Sequence, residues 1–362
     1  MDKASEESPL QAMHMRERRF GLVLLVLGLV AVGSMVLSLL AGPFSLDART
    51  VFRALAGLLP AGPDTTTENA VVFTVVRDIR LSRTILALLI GSGLAVSGVV
   101  FQGLLRNPLA DPFTLGVSSG GAFGASLAIS LGIPFGRGFF GSLALPLAAL
   151  AGAFAALGAV LLLGRRRGGL NAGLDREALV LGGVVVATFL SACISLFKAL
   201  NEESVAAIVF WIMGSLQGRG WEHLQLFLPF FVAGMVIIAC YSRELDLLSL
   251  GSDQARALGV NPGRARLRLL VGASMVTSAA VAVSGVIGFV GLVVPHLLRL
   301  LIGGEHRPLL AASAILGGIL LLWADMAART ILSGGAELPV GVLTALIGGP
   351  FFCMLLARSN GR

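Results

Sequence analysis

Asp325 and Arg329 stand one helical turn apart inside an otherwise apolar stretch, and that i, i+4 spacing has two chemical readings. A carboxylate within a membrane helix can relay protons in an ion-coupled carrier. Beside an arginine one turn on, it can instead form a structural ion pair, and the spacing favours the pair. The other chemistry-bearing residues form no familiar centre. His14, His223, His296 and His306 are not at metal-ligand spacing, and Cys193, Cys240 and Cys353 lie within apolar runs with no CxxC. The only lysines, Lys3 and Lys198, follow Asp2 and Phe197, so no Gly-Lys pair exists to cradle phosphate as a Walker A loop does. HExxH is absent too. Energy for any transport must therefore come from an ion gradient or from a partner.

The elements that hold these residues follow from composition. Of 362 residues, 56% are apolar and 13% charged, and mean hydropathy is +0.90. Soluble domains carry about 25% charged residues, so this chain lacks the charge to cover a water-facing surface. Forty-seven glycines suit close helix packing in lipid. About 20 apolar residues cross a bilayer. Charge-free windows fall at 21–46, 84–105, 112–136, 138–164, 178–197, 224–242, 308–324 and 338–357. A further stretch from 267 to 302 is too long for one crossing, and Gly285, Gly288 and Gly291 divide it into spans at 267–286 and 288–302. The expected fold is an all-α polytopic membrane protein with ten transmembrane helices. Residues 1–20 are expected to form a polar tail, 21–358 the ten-helix transmembrane body and 359–362 a short polar end. SGVVFQG (97–103) echoes SGVIGFVG (284–291), and an offset of five helices is the pattern of an inverted repeat.

Net charge is +7, from 27 basic and 20 acidic residues. The basic residues are scattered between apolar runs, which argues for topology rather than nucleic acid. Arg165, Arg166, Arg167 and the loop 243–268 carry most of the bias, placing both termini in the cytoplasm. Arg80, Arg83 and Arg329 then sit at outer span ends, where they can act as fixed partners for carboxylates or as interfacial anchors and helix caps. The outer loop 43–79 is rich in Pro, Gly and Thr, and Pro108, Pro112 and Asn107 shape an inner turn. The loop RELDLLSLGSDQARALGVNPGRARLR (243–268) predicts a short helix over 253–258. Ser252 is placed to cap it and Gly259 to end it in a left-handed conformation. Ala255 and Leu258 share one side, and a rigid capped helix of this kind can dock in a groove of another protein.

Residues 80–124, RLSRTILALLIGSGLAVSGVVFQGLLRNPLADPFTLGVSSGGAFG, resemble the second and third helices of FecCD-type ABC permeases for iron-siderophores, haem and vitamin B12. WIMGSL (211–216), ARALGV (255–260), SGVIGFVGLVVPHLLRLLIGGEHR (284–307), ADMAAR (324–329) and ELPVGVLTALIGGPFF (337–352) extend the resemblance, in family order, over nearly the whole chain. The resemblance implies a type II ABC importer permease. Its partners would be a second copy or close paralogue, two cytoplasmic ATPase subunits and a periplasmic or lipid-anchored binding protein. It implies that Asp253, Ala255, Arg256, Leu258 and Gly259 belong to a coupling helix within the loop 243–267. It also implies that Arg80, Arg83 and Arg329 receive a binding-protein glutamate, and that Gly168, Gly169 and Gly173 flank a cytoplasmic gate.

In the same resemblance the path is lined mainly by the fifth and tenth spans, where Ser191, Ser195 and Thr344 are the mild polar points. ATP and magnesium would be handled by the partner ATPase, leaving this chain without catalysis, cofactor or metal. The expected cargo is a metal chelate, iron-siderophore first, with corrinoid or haem as alternatives. An ion-coupled secondary carrier and a non-transporting membrane scaffold are the competing classes.

Overall fold

The computed structural model describes residues 9–42, 44, 46–57, 67–133, 139–164, 176–332 and 335–359, and all regular structure among them is helical. Helix α1 spans Pro9–Leu40, α2 Ala48–Leu55 and α3 Thr67–Phe73; α3 continues through a π-helical stretch, Thr74–Leu81, into α4, Ser82–Leu105. A 3-10 turn at Pro112–Leu115 leads to α5, Val117–Ser130, followed by α6, Phe139–Leu163, and α7, Arg176–Leu200. Next come α8 (Val205–Ile212), α9 (Trp221–Cys240), α10 (Ser242–Leu250) and α11 (Ser252–Ala257). The chain closes with α12 (Pro262–Ser284), α13 (Val290–Ile302), α14 (His306–Ala328) and α15 (Val340–Ser359).

Each of the ten expected spans holds a helix: α1, α4, α5, α6, α7, α9, α12, α13, α14 and α15. Among the described residues, seven helices are long and apolar enough to cross a membrane. Of the other three, α5 and α13 are shorter than a full crossing, with 14 and 13 residues, and α15 has 20. The expected division of the seventh and eighth spans falls where the glycines place it. Gly285 takes φ +70°, which a residue with a Cβ resists, and 285–289 leave the helix before α13 resumes. Two expectations change. Helix α1 begins at Pro9, so much of the presumed tail is helical, because no breaker separates Pro9 from the apolar run. The echoed segments differ in backbone: 97–103 is helical throughout, whereas 285–289 are not.

The core is built around α4, which packs against α14, α12 and α13. It can do so because small residues let the backbones approach. A Cβ on Gly91 would overlap the Gly317 carbonyl, and one on Gly98 would overlap that of Gly291. Helices α1, α7 and α9 are peripheral and expose broad apolar faces, including Leu25, Leu29, Val184, Phe189 and Val236, as lipid-facing or partner-facing helices do. At about 1.5 Å per residue, α4 separates its Arg83 end from its Arg106 end by about 35 Å. Each of these ends carries a polar site.

Candidate functional site

At the first end, Arg83 is held between two carboxylates. Its Nε donates to Asp325 Oδ1 and Oδ2 at 2.9 and 3.1 Å, and its Nη2 donates to Oδ1 at 2.8 Å. The far edge of the guanidinium donates to Glu337, Nη1 to Oε1 at 3.0 Å and Nη2 to Oε2 at 2.7 Å. A planar guanidinium with five fixed donors suits this double fork, and a lysine could not reproduce it. The link joins α4, α14 and the segment before α15. The i, i+4 contact expected for Asp325 is present but secondary, since Arg329 Nε lies 3.6 Å from Oδ2.

Arg80 and Arg329 complete the cluster by capping α1. The last carbonyls of a helix have no partner within it, and cations near that end are stabilised by its dipole. Arg80 Nη1 donates to Leu39 O at 2.7 Å and Leu40 O at 3.1 Å, and Nη2 donates to Phe44 O. Arg329 Nη2 donates to Ser38 O at 2.9 Å and Ser38 Oγ at 2.6 Å, and that hydroxyl is 2.8 Å from Thr84 Oγ1. The expectation of three arginines presented outward is corrected here. All three lie at one end as expected, but each is 5% exposed or less and occupied by its own chain. The end of α1 and the turn after it lie against Arg80, and the end of α1 holds Arg329. In the sequence Glu337 is only the first residue of ELPVGVLTALIGGPFF; its position two residues before Pro339, at the head of a span, is the available signal.

At the opposite end, α10 and α11 form a braced loop. Arg106 Nη2 donates to Leu248 O at 2.7 Å, and Arg266 Nη2 donates to Ser252 Oγ at 2.7 Å. His306 donates its backbone N–H to Asp246 Oδ1 at 3.0 Å, with Nδ1 2.6 Å from the same oxygen. Burial pushes the Asp246 carboxyl up, but the His306 bonds and the nearby Arg307 outweigh it and hold the carboxyl below its ordinary value. Helix α11 ends in paired bonds, Val260 N–H to Ala255 O at 2.9 Å and Gly259 N–H to Arg256 O at 3.0 Å, with Gly259 at φ +83°.

Two local details differ from expectation. Ser252 is the first helical residue and receives Arg266 rather than capping the backbone, because Gly251 turns the chain at φ +138°. Ala255 is fully buried while Leu258, on the C-cap, is 60% exposed, so the two do not share one environment. Asp253 and Arg256 are exposed and 3.7 Å apart. The α11 tip therefore presents one apolar side chain on a rigid polar frame.

A family model described as the FecCD transport family matches residues 29–358. The chain belongs to the FecCD transport family. FecCD proteins of this kind are permease subunits of ABC importers rather than enzymes, and they work with separate ATPase and substrate-binding subunits. The chain is 39% identical over 352 residues to the hemin transport system permease HmuU of Yersinia pestis, covering 94% of this chain and 95% of that one. It is 42% identical over 282 residues to the cobalamin import system permease BtuC of Halobacterium salinarum, covering 78% of this chain and 73% of that one. A solved structure described as an inward-facing ABC transporter of metal-chelate type matches with a TM-score of 0.78 at 35% identity, over 93% of this chain and 99% of that one.

In this FecCD permease the expected path residues do not converge within one subunit. Ser191 and Ser195 lie on the exposed face of α7. Thr344 is 3% exposed, its hydroxyl donating to Gly341 O at 3.0 Å, and it borders an apolar cavity of about 590 Å³ among α13, α14 and α15. Gly168, Gly169 and Gly173 lie outside the described residues. A second cavity of about 330 Å³ opens behind α8, near Glu337, and is lined by Trp211, Ser215 and Arg219. Among the described residues, no three His, Cys, Asp or Glu side chains gather as a metal site would require.

Proposed function

We propose that this permease imports a metal chelate, with iron-siderophore the leading cargo, and that a periplasmic or lipid-anchored binding protein delivers it. Two copies of the chain, or this chain and a close paralogue, enclose the path, and two ATPase subunits bind ATP and magnesium on the cytoplasmic side. Both termini face that side. The observation that carries the reading is the α10–α11 loop. It is pinned by Arg106, Arg266 and the Asp246–His306 pair, and it offers Leu258 to a partner. A rigid tip transmits displacement, whereas a slack one would absorb it. On this reading ATPase closure moves α11 and switches the path between its two accesses.

The exposed α7 face bearing Ser191 and Ser195 belongs, in the same proposal, to the central path between the two copies. Its weakly polar character suits a bulky chelate that must not be held tightly. The cytoplasmic gate is assigned to the segment that contains Gly168, Gly169 and Gly173. Arg80, Arg83 and Arg329 serve docking through their field. Three guanidinium groups against Asp325 and Glu337 leave one positive charge under the surface where a binding protein would sit.

Reconstitution in liposomes with the ATPase and binding protein tests the proposal. Uptake of an iron chelate that requires ATP, the binding protein and both ATPase subunits is the expected result. Accumulation that persists without the ATPase refutes it. A panel of ferric chelates, haem and cobalamin assigns the cargo.

A further inference from the structure

Arg219 sits in the loop between α8 and α9, half-buried, and borders the cavity of about 330 Å³. Its Nη1 is 3.0 Å from His223 Nε2, a neutral acceptor that offers no countercharge. Its Nε is buried without a partner, and among the described residues no carboxylate lies within ion-pair distance of it. The contrast with Arg83, which grips two carboxylates, is sharp. A buried charge without a partner costs free energy in the resting protein, and burial lowers the Arg219 pKa with no neighbouring acid opposing it.

A second donor shares the cavity. Trp211 is 8% exposed and its indole N–H is buried with no acceptor. The acid on the wall, Glu337, is already taken up by Arg83 at 2.7 and 3.0 Å, so Arg219 is the uncompensated charge there. Phe210, Leu145 and Pro339 supply apolar walls, and the volume falls in the range of about 300–1,000 Å³ typical of small-molecule sites.

We infer that this cavity is an anion subsite, in which Arg219 receives a carboxylate carried by the transported chelate and Trp211 supplies a second donor. The inference rests on the import reading and narrows it to chelates with an anionic face. Arginine meets a carboxylate with paired, charge-assisted bonds, and the apolar walls exclude the water that would screen them. The substrate carboxylate provides the countercharge that the fold withholds.

The test uses the full chain in lipid nanodiscs, with indole emission as the signal and Trp211→Phe to show which part of it comes from the cavity. The probes are anionic ferric dicitrate, iron-free citrate and a neutral ferric trihydroxamate. Saturable quenching by ferric dicitrate is expected, with competition by citrate. Arg219→Gln should weaken it about tenfold or more, Arg219→Lys, which keeps the charge but not the paired bonds, should weaken it less, and the neutral probe should not respond to either change. Equal affinity in Arg219→Gln, equal sensitivity of the neutral probe, or no saturable quenching by ferric dicitrate overturns the subsite. A carboxylate supplied by the binding protein would show as weakened docking in Arg219→Gln with no small-anion binding, and that too overturns it. Unfolding midpoints of the variants separate misfolding from lost affinity. ATP-independent uptake by the assembled wild type, with anion binding intact, would instead refute the import reading alone.

Discussion

Replacing Arg83 with glutamine should destabilise the fold more than any other single change at that end. Asp325 is completely buried and takes three hydrogen bonds from Arg83 at 2.8, 2.9 and 3.1 Å, leaving only Arg329 Nε at 3.6 Å when they are lost. Breaking a buried pair from one side costs about 3–5 kcal/mol. Because Arg329 remains nearby, the lower end applies, about 3 kcal/mol, or roughly a hundredfold in the unfolding equilibrium. Asp325→Asn keeps the Arg83–Glu337 fork and should cost about 1–3 kcal/mol. The double variant Arg83→Gln/Asp325→Asn should then fall short of the sum by about 2 kcal/mol, because Asp325 is no longer left as a buried orphan charge, while the loss at Glu337 is common to both backgrounds. Reversible unfolding in mixed lipid–detergent micelles measures all four states, and binding-protein affinity is read on the same samples. Additivity within about 0.5 kcal/mol would refute the argument. So would an Arg83→Gln protein of native stability that has lost its affinity, since that result makes Arg83 a contact residue rather than a brace.

At the other end, Leu258→Asp should change stability by no more than about 0.5 kcal/mol, as surface substitutions do, yet abolish coupling. Transport-stimulated ATPase activity checks it, and normal stimulation would remove α11 from the mechanism. Asp246 has a carboxyl held below its ordinary value, so its contribution to stability is present above the unfolded carboxylate pKa and is lost as pH falls through the lower folded value. Asp246→Asn should therefore cost about 1 kcal/mol at neutral pH. It should also flatten the acid limb of the unfolding profile below about pH 4; superimposable profiles would count against the bond to His306. Gly98→Leu should overpack the contact with Gly291 and cost about 1–3 kcal/mol, read by the same unfolding assay. A silent Gly98→Leu would mean that α4 and α13 are not in close contact.

What could be read from the chain without its structure divides by sequence distance. Apolar run length placed a helix in every expected span, and Gly285 marked the break after α12, because both are local properties of backbone and bilayer. The α11 terminus was legible for the same reason: a left-handed Gly259 closes a helix wherever it occurs. The partner of Asp325 was not. Local spacing pointed to Arg329 four residues on, whereas the stronger partner, Arg83, is 242 residues away and arrives only when α4 packs on α14. The burial of Arg80 escaped for a related reason. Charge at a span end reads as exposed until one knows that the end of α1 and the turn after it lie over that position. Arg219 carried no signal either, since a lone arginine in a loop looks solvated until its walls are known.

The two ends are joined by one element. Helix α4 is fixed to α14 through Arg83–Asp325, to α13 through Gln102, whose Nε2 donates to Gly291 O at 3.2 Å, and to α10 through Arg106 and Leu248. Gln102 also accepts from Arg299 Nη1 at 2.6 Å. A helix tied at both ends and wedged by glycine contacts cannot change length or tilt by itself; it moves with α13 and α14 or not at all. Any displacement of the α10–α11 loop must then reach the Arg83 end as motion of that block. The freedom lies in the break at 285–289, where Gly285 and Phe289 both take positive φ, and in the peripheral helices α7 and α9, which are tied to it more loosely. Phe289 holds a conformation that costs a residue with a Cβ about 1–3 kcal/mol, and its ring packs against Gly348 of α15. The strained joint thus meets α15 at one contact, where a small shift of the block would be felt first.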